Sequence, residues 1–442
     1  MAARNTLISF YNCTDYCLIL TGSNLDHGIW NQSPSGIINP NTLGDVIANN
    51  ESDGVMTGDQ GSLTYAILGV QNNTPYVVDY VTIAWDNPYV GINSYSCSLQ
   101  NPQQSNLQIS NTFGRGNNTA VSFILNKQNQ FASWMSNSLS IIGNKKLTDI
   151  CIPGSHDAGM SVCISPTVGA SNCNTITQSM DILGQLKNGS RYFDIRPIIG
   201  GGAYETGHYS DVSALLSTQG ARGQSIDDII NDINEFTASN KELVILNLSH
   251  SLDTDSSAKY YPSFTDGQWQ TLFGKLKGIN NLYLTDTVSY PDLAQSTINT
   301  FIGGGEACVL IIVEVDASVI LPYKDEGFFP AAISLKTYNE YSGTDDFTTM
   351  MNDQINKMRT QRGLQNYFLL SWTLTQSNTA AALCQASDSA YNSVLDLAGI
   401  ADGNLYQLLP LVSKEIYPNI IYVDNFNNGI ATSIAMNINS KL

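Results

Sequence analysis

Basic residues are scarce in this chain. Its 442 residues carry 20 Lys and Arg against 38 Asp and Glu, a formal net charge of -18. A nucleic-acid surface needs clustered cations, so this balance argues against nucleic acid as a partner. It argues equally against docking on anionic lipid through a polybasic patch. Only 13% of residues are charged at all, so the surface is largely neutral and polar, and any membrane contact must use aromatic or neutral groups. The 22 tyrosines are the available pool. Long apolar runs are missing too: nothing reaches the ~18 uninterrupted apolar residues of a membrane-spanning helix. The amino terminus, Met1 to Cys13, lacks the continuous apolar core of a signal peptide. The expectation is a chain soluble as written, secreted or peripheral to a membrane, with its compartment open. Eight cysteines are an ordinary number for this length rather than a disulfide scaffold, and no CxxC pair with metal spacing occurs. Cys13 with Cys17, and Cys163 with Cys173, are the pairs that would close local loops in an exported protein.

What is present divides at about residue 127. At 42% hydrophobic the chain is long enough for two or three domains with substantial cores. From Asn5 to about Lys127, short runs such as Leu63-Tyr65-Ile67, Tyr76-Val78-Tyr80, Val81-Ile83-Trp85, Tyr95-Cys97-Leu99 and Val121-Phe123-Leu125 keep a period of two, separated by Gly, Asn, Asp and Pro. That pattern predicts an all-β sandwich over 1–127, with no helix of any length. The polar connector Asn126 to Gln130 closes it.

Over 128–442 the period changes. Extended runs are expected at Asp149 to Ile152, Arg191 to Ile198, Tyr204 to His208, Leu243 to Leu248, Cys308 to Val315, Ala332 to Leu335, Tyr367 to Trp372 and Ile420 to Val423. Helical runs lie between them: Ser225 to Phe236, with Ser225 and Asp228 as a capping pair, Phe347 to Met358, and Ser393 to Leu409. Alternating strand and helix predicts an α/β fold, an irregular TIM-type (β/α) barrel.

The unusual residues gather where these strands end. In Leu147-Thr148-Asp149-Ile150-Cys151-Ile152-Pro153-Gly154-Ser155-His156-Asp157, a short apolar strand runs into a Pro-Gly pair that should stop it, projecting His156 from its carboxyl end. Four histidines exist in all, His27, His156, His208 and His250. Asp194 and Arg196 stand two apart and so share one strand face. His208 ends Glu205-Thr206-Gly207-His208, and Asp424 follows the apolar run Ile420 to Val423. His156, Asp157, Asp194, Arg196, His208 and Asp424 should therefore converge on one mouth. Two imidazoles with carboxylate partners and an arginine suit phosphodiester cleavage. One imidazole takes a proton from an attacking hydroxyl and the other gives one to the leaving alcohol, while the guanidinium grips the phosphate oxygens.

Two resemblances sharpen this. The barrel segment resembles the X domain of phosphatidylinositol-specific phospholipases C, particularly the bacterial, metal-independent kind. The likeness is carried by Trp134-Met135, Leu147 to Asp157, Gly189 to Arg196, His208, Glu242 to Leu248 and Asp424. It implies cleavage of a phosphatidylinositol-like lipid to diacylglycerol and a cyclic inositol phosphate. His156 would be the general base, oriented by Asp424, and His208 the general acid, supported by Asp157. In calcium-using members the residue two after the strand's acid is a second carboxylate; here it is Arg196, whose charge would repel a divalent cation. No metal and no cofactor are expected, although Asp157, Asp194 and Glu205 would be the calcium cluster of the opposite reading. The chain departs from the bacterial pattern at the fourth and fifth strand ends, where Ser249-His250 and Glu314-Val315-Asp316 replace basic residues. Lys336, Tyr338, Trp372 and His250 are the substrate-binding candidates, with Tyr341 as a further pocket wall.

The first segment resembles the aegerolysin family through Glu51-Ser52-Asp53-Gly54-Val55-Met56-Thr57-Gly58, Gly61-Ser62-Leu63-Thr64-Tyr65, Trp85-Asp86-Asn87-Pro88-Tyr89, Gly91 and Asn93-Ser94-Tyr95. This implies a sandwich that recognises lipid head groups on a phospholipid membrane surface, with Trp85 and Tyr89 as the membrane-binding residues. Two other readings stay in play: a catalytically silent membrane-binding or toxin-like protein, and a calcium-dependent phosphodiesterase acting on another head group.

Overall fold

The computed structural model describes residues 4–44, 47–50, 57–114, 116–128, 130–212, 215–286, 289–363, 367–384 and 392–442. Two compact units result. Among the described residues, the first takes the chain up to Gln130 together with Asn392 and Asp396–Gln407, and the second takes the rest. No helix among the described residues is long and apolar enough to cross a membrane.

The first unit is built from two sheets. One joins Asn118–Lys127, Leu107–Phe113, Asn5–Asn12, Thr42–Leu43, Ile47–Asn50 and Ile29–Trp30; the other joins Ile37–Ile38, Cys17–His27, Asp59–Gln71, Thr74–Asn87 and Ser94–Leu99. Alternation explains how they bury a common core. Leu63, Tyr65, Ile67, Val81, Ile83 and Trp85 from the second sheet pack with Ile8, Phe10, Val121, Phe123 and Leu125 from the first. One helical turn, Pro102–Ser105, interrupts the strands. The segment expected as a helix over Ser393 to Leu409 is helical only over Val394–Gly403, with a 3-10 stretch Leu405–Leu411 carrying Pro410. Gly399 of that helix lies so close to Phe113 that an added Cβ would meet its carbonyl oxygen at 1.9 Å.

Burial revises the membrane-binding pair. Trp85 is buried, its ring 5.7 Å from that of Trp30, so it belongs to the core and does not reach a lipid. Tyr89 is half-buried with the Arg4 guanidinium 5.1 Å from its ring. The stretch Glu51 to Met56 of the aegerolysin-like motif lies outside the described residues.

Asp59 is fully buried in this unit. Burial pushes its pKa up to about 7 against the opposing hydrogen bonds from Thr6 and Asn87. The folded state then holds the proton more tightly than the unfolded chain. Stability present below the ordinary carboxylate range is therefore lost as pH rises to about 7. Native-state hydrogen exchange of strand Asp59–Gln71 should show protection falling across that window. Asp59→Asn should flatten the dependence, and an unchanged slope in that variant would assign it to another group.

The second unit contains eight short parallel strands. In chain order they are Ile152–Ser155, Tyr192–Ile195, Leu243–Leu248, Cys308–Val313, Phe328–Pro330, Thr337–Tyr338, Tyr367–Ser371 and Ile420–Val423. Each pairs with the next except the fifth with the sixth, and the eighth pairs with the first. That is the neighbour order of an eight-stranded barrel, opened at one seam among the described residues.

Three expectations need correction. The first strand does not stop at Pro153-Gly154 but runs through them. It is preceded by a 3-10 turn, Leu147–Asp149. Gly154 is required there because a Cβ would meet Ile420 at 2.8 Å and Tyr192 at 3.2 Å on the flanking strands. Ala332 to Leu335 is not a strand: Ala331–Ser334 is a helical turn that follows the fifth strand. Tyr204 to His208 is not a barrel strand either. After Arg196 the chain leaves the barrel for an antiparallel sheet of Pro197–Gly200, Ala203–Val212, Ser217–Ser225 and the short Leu252–Asp253. Gly201 and Gly202, at φ +61 and +77, make the tight turn into it.

Along the inward face, apolar positions give way to polar ones toward the carboxyl ends. Tyr192, Ile245, Ile312, Leu369 and Tyr422 share one core cluster. Two residues further on, the same face carries Asp194, Asn247, Glu314, Ser371 and Asp424. Helix Ile226–Ser239 packs outside, capped by Ser225, whose hydroxyl oxygen accepts from the Asp228 N–H at 3.0 Å.

Candidate active site

The polar rim and the hairpin beside it bring together the six residues singled out in the sequence. His156 follows the first strand directly, and its N–H extends the ladder to Val423 O at 3.0 Å. Its Nδ1 lies 2.7 Å from Asp424 Oδ1 on the neighbouring eighth strand. A carboxylate only accepts, so Nδ1 carries the proton and Nε2 presents its lone pair. Arg196 Nη2 donates to that Nε2 at 2.9 Å. Asp194 and Arg196 do share a face: Arg196 Nε is 3.0 Å from Asp194 Oδ2 and 2.5 Å from Asp157 Oδ1. The guanidinium thus stands between two buried carboxylates.

Asp157 is buried, at φ +40, and neither of its oxygens has a well-aligned hydrogen bond. Its Oδ2 lies 3.5 Å from His156 Nε2 and 3.7 Å from His208 Nε2. Both imidazoles therefore face one carboxylate oxygen. His208 arrives on the hairpin strand Ala203–Val212, not on a barrel strand, and its Nδ1 donates to Thr175 O at 3.1 Å. The tautomer follows: Nδ1 is protonated, and Nε2 points toward Asp157.

Charge follows geometry. Burial opposes protonation of His156, but Asp424 and Asp157 outweigh it and raise its pKa above the usual imidazole value. Burial would raise the Asp194 carboxyl, yet Arg196 and His156 hold it well below the carboxylate range.

Several partners were not singled out from sequence. Tyr422 Oη donates to Asp194 Oδ2 at 2.6 Å and Ser249 Oγ donates to Asp194 Oδ1 at 2.7 Å. Tyr422 stands two before Asp424, so the same period-two argument could have found it. Gln178 ties the two strand ends, donating to His156 O at 2.8 Å and accepting from Phe426 N at 2.7 Å. Tyr341, which the sequence did offer as a pocket wall, lines the mouth, its hydroxyl accepting from Arg196 Nη2 at 3.1 Å and its ring 5.4 Å from that of His156. Thr175 sits in the helical turn Asn172–Thr175, whose Cys173 forms a disulfide with Cys384. Cys173 therefore does not pair with Cys163, and Cys13 and Cys17 are not bonded to each other.

The four substrate-binding candidates divide. His250 is exposed at the end of the third strand, its Nδ1 donating to Ser249 Oγ at 2.9 Å. Trp372 is buried against Phe347 at 5.7 Å and is a core residue. Tyr338 stacks on Phe368 at 5.6 Å and donates to Glu340 Oε2 at 2.8 Å. Lys336 precedes the sixth strand, so it belongs to the opposite, amino-terminal end. There it lines a groove of about 600 Å³ with Thr148, Arg362 and Asn419. Among the described residues His156, Asp157 and Asp194 have ligand atoms within 4.8 Å of one another, but Arg196 Nε already sits between the two carboxylates. Glu205 is turned to Arg222 at 3.1 Å, so it does not complete the calcium trio.

No family model matches the chain. A 1-phosphatidylinositol phosphodiesterase of Staphylococcus aureus (strain Newman) is 29% identical over 150 residues, 32% of this chain and 43% of the relative. The PI-PLC X domain-containing protein 3 of Bos taurus is 29% identical over 143 residues, 27% of this chain and 42% of the relative. Over these stretches the chain is similar to phosphatidylinositol-specific phospholipase C X-domain proteins. The chain spans less than half the length of these X-domain relatives. Among solved structures, the phosphatidylinositol-specific phospholipase C from Listeria monocytogenes aligns at 17% identity and a TM-score of 0.46, over 70% of this chain and 98% of that one.

Proposed function

We propose that this X-domain protein is a metal-independent phosphodiesterase that cleaves phosphatidylinositol-type lipid by general acid-base catalysis. The observation that carries the reading is the chain Asp424–His156–Arg196 beside Asp157, with His208 facing the same carboxylate oxygen. In the resting site Arg196 Nη2 occupies the His156 lone pair. A bound phosphate offers that guanidinium a stronger, charged acceptor, which frees Nε2 to take the proton of the attacking inositol hydroxyl. The P–O bond to the new cyclic ester forms as the bond to the glycerol oxygen breaks. Protonated His208 delivers its Nε2 proton to that oxygen, leaving diacylglycerol and a cyclic inositol phosphate. Asp157 faces His208 Nε2 and orients the ring, and Asp194, itself held by Tyr422 and Ser249, fixes Arg196 in place.

The test is phosphorus NMR of the products from phosphatidylinositol vesicles. A cyclic phosphodiester should appear at an unchanged rate in excess chelator. Abolition by chelator, or a linear monophosphate as first product, would overturn the reading.

The raised His156 pKa sets the pH response. A base works only when neutral, so the acid limb of kcat/KM should lie above the ordinary imidazole value of ~6.5. Asp424→Asn removes the larger of the two charges that raise it, and the limb should move to lower pH while the rate falls. A limb that stays put assigns the ionisation to another group. For the first unit we propose the membrane-targeting role, with its contact shifted from Trp85 to the uncharged loop after Asn87, where Val90 and Ile92 are 80% and 61% exposed.

A further inference from the structure

Two residues beside the candidate site hold a backbone conformation that L side chains seldom adopt. Asp157, directly after His156, has φ +40, and Asn425, directly after Asp424, has φ +51. Asp and Asn tolerate this left-handed region better than most residues, but it persists only where the surroundings impose it. The first and eighth strands thus turn at matching points, one residue beyond each member of the His156–Asp424 pair. What imposes both turns is a third segment of the chain.

That segment is the five residues Thr175 to Ser179, of which Thr175, Thr177 and Gln178 are buried. Toward the first strand, Gln178 Nε2 donates to His156 O at 2.8 Å and Thr177 Oγ1 donates to Asp157 O at 3.0 Å. Toward the eighth, Asn425 N–H donates to Thr177 O at 2.7 Å and Phe426 N–H donates to Gln178 Oε1 at 2.7 Å. Ser179 Oγ adds a bond to Asn425 Oδ1 at 2.5 Å. The Gln178 amide has one orientation only, because its oxygen must face an N–H and its nitrogen a carbonyl. The segment is itself anchored, since the N–H groups of Thr177 and Gln178 both donate to Met160 O at 3.2 Å. At its other end Thr175 O accepts from His208 Nδ1 at 3.1 Å. His156, Asp424 and His208 arrive on three separate elements, and this one stretch is bonded to the ring of His208 and to the backbone on both sides of the pair.

We propose that Thr175 to Ser179 form a strap that sets the separation of the two imidazoles, with Gln178 as its central positioning residue. Gln178 fixes the His156–Asp424 pair through backbone groups alone, while Thr175 seats His208 from the same stretch of chain. The effect on rate rests on the phosphodiesterase reading; the strap's hold on the pair does not. Rate depends steeply on such placement, since a misplacement of about 1 Å far from the chemistry can cost ~10²-fold. Arg196 and Asp194, which seat the phosphate in that reading, receive no bond from Gln178, so its loss should appear in kcat and not in KM.

The full chain carries the test. Gln178→Met keeps the length of the side chain and removes both of its strand-end bonds. It should lower kcat on phosphatidylinositol vesicles by ~10–100-fold with little change in KM. The loss should persist on a substrate with a phenol leaving group, which needs the base but no acid. Proton NMR gives a readout independent of turnover. The Nδ1 proton of His156, shared with a carboxylate at 2.7 Å, should resonate far downfield in the parent, be assigned by its loss in His156→Ala, and move upfield in Gln178→Met. Thr177→Val keeps its shape and its backbone bonds but loses the bond to Asp157 O, so it should act in the same direction by roughly 3–10-fold. Parental kcat with an unmoved resonance in Gln178→Met overturns the inference, and so does a loss confined to KM. If Gln178→Met does not fold, the same two results in Thr177→Val overturn it. A parent chain that leaves phosphatidylinositol intact overturns the phosphodiesterase reading instead, and the His156 resonance still decides the strap.

Discussion

His156→Ala should lower kcat/KM on phosphatidylinositol by ~10³–10⁴-fold with little change in vesicle binding, because it removes the base while Arg196, Asp194 and Asp157 keep the phosphate seat. His208→Ala should cost ~10²–10⁴-fold on the natural lipid, whose alkoxide leaving group needs a proton. The two losses separate on a substrate with an acidic phenol as leaving group. That substrate departs without help, so most of the His208→Ala loss should vanish while the His156→Ala loss persists. Equal losses on both substrates would mean that the histidines do not divide the work as base and acid. The prediction draws on where their protonated nitrogens point: His156 Nδ1 toward Asp424 at 2.7 Å, and His208 Nδ1 toward Thr175 O at 3.1 Å.

The largest stability effect is expected at the opposite end of the barrel. Arg191 and Glu242 are fully buried, and Arg191 Nε and Nη2 both reach Glu242 Oε2, at 3.0 and 2.8 Å. Glu242 also accepts from the N–H groups of Met135 and Ser136 at 3.0 and 2.8 Å. The guanidinium in turn donates to the carbonyls of Phe131, Ala132, Leu186 and Ser190. Burial pulls the Arg191 pKa down, and Glu242 opposes it. Glu242→Gln keeps the shape and deletes the charge, leaving a cation uncompensated in the interior. It should destabilise the second unit by about 3–5 kcal/mol, read from the urea midpoint. A loss under about 1 kcal/mol would show that the carbonyls alone suffice for the guanidinium.

The contrast between what was legible in sequence and what was not has a physical basis. Asp194, Arg196 and Asp424 could be placed because a strand's period of two and an apolar run before an acid are local signals. The seat of His208 could not, because it depends on a hairpin outside the barrel, announced only by Gly200-Gly201-Gly202. Ala332 to Leu335 read as a strand because four residues of mixed polarity suit one helical turn equally well. Trp85 and Trp372 were assigned to surfaces on residue type, whereas a large ring fills a core as readily as it meets a ligand. Lys336 follows the run Ala332 to Leu335, and because that run is no strand it does not mark a carboxyl-terminal rim. The sixth strand is Thr337–Tyr338, which begins after Lys336 and leaves it at the amino-terminal rim.

The bond between Cys173 and Cys384 spans 211 positions and fastens the turn whose Thr175 carbonyl seats His208, the acid of the proposed reaction. Where thiols are kept reduced, that seat is held by weaker ties such as Asn174 Nδ2 to Ala381 O at 2.9 Å. On the proposed reading, an oxidising milieu thus tightens the seat of the acid as well as bracing the fold.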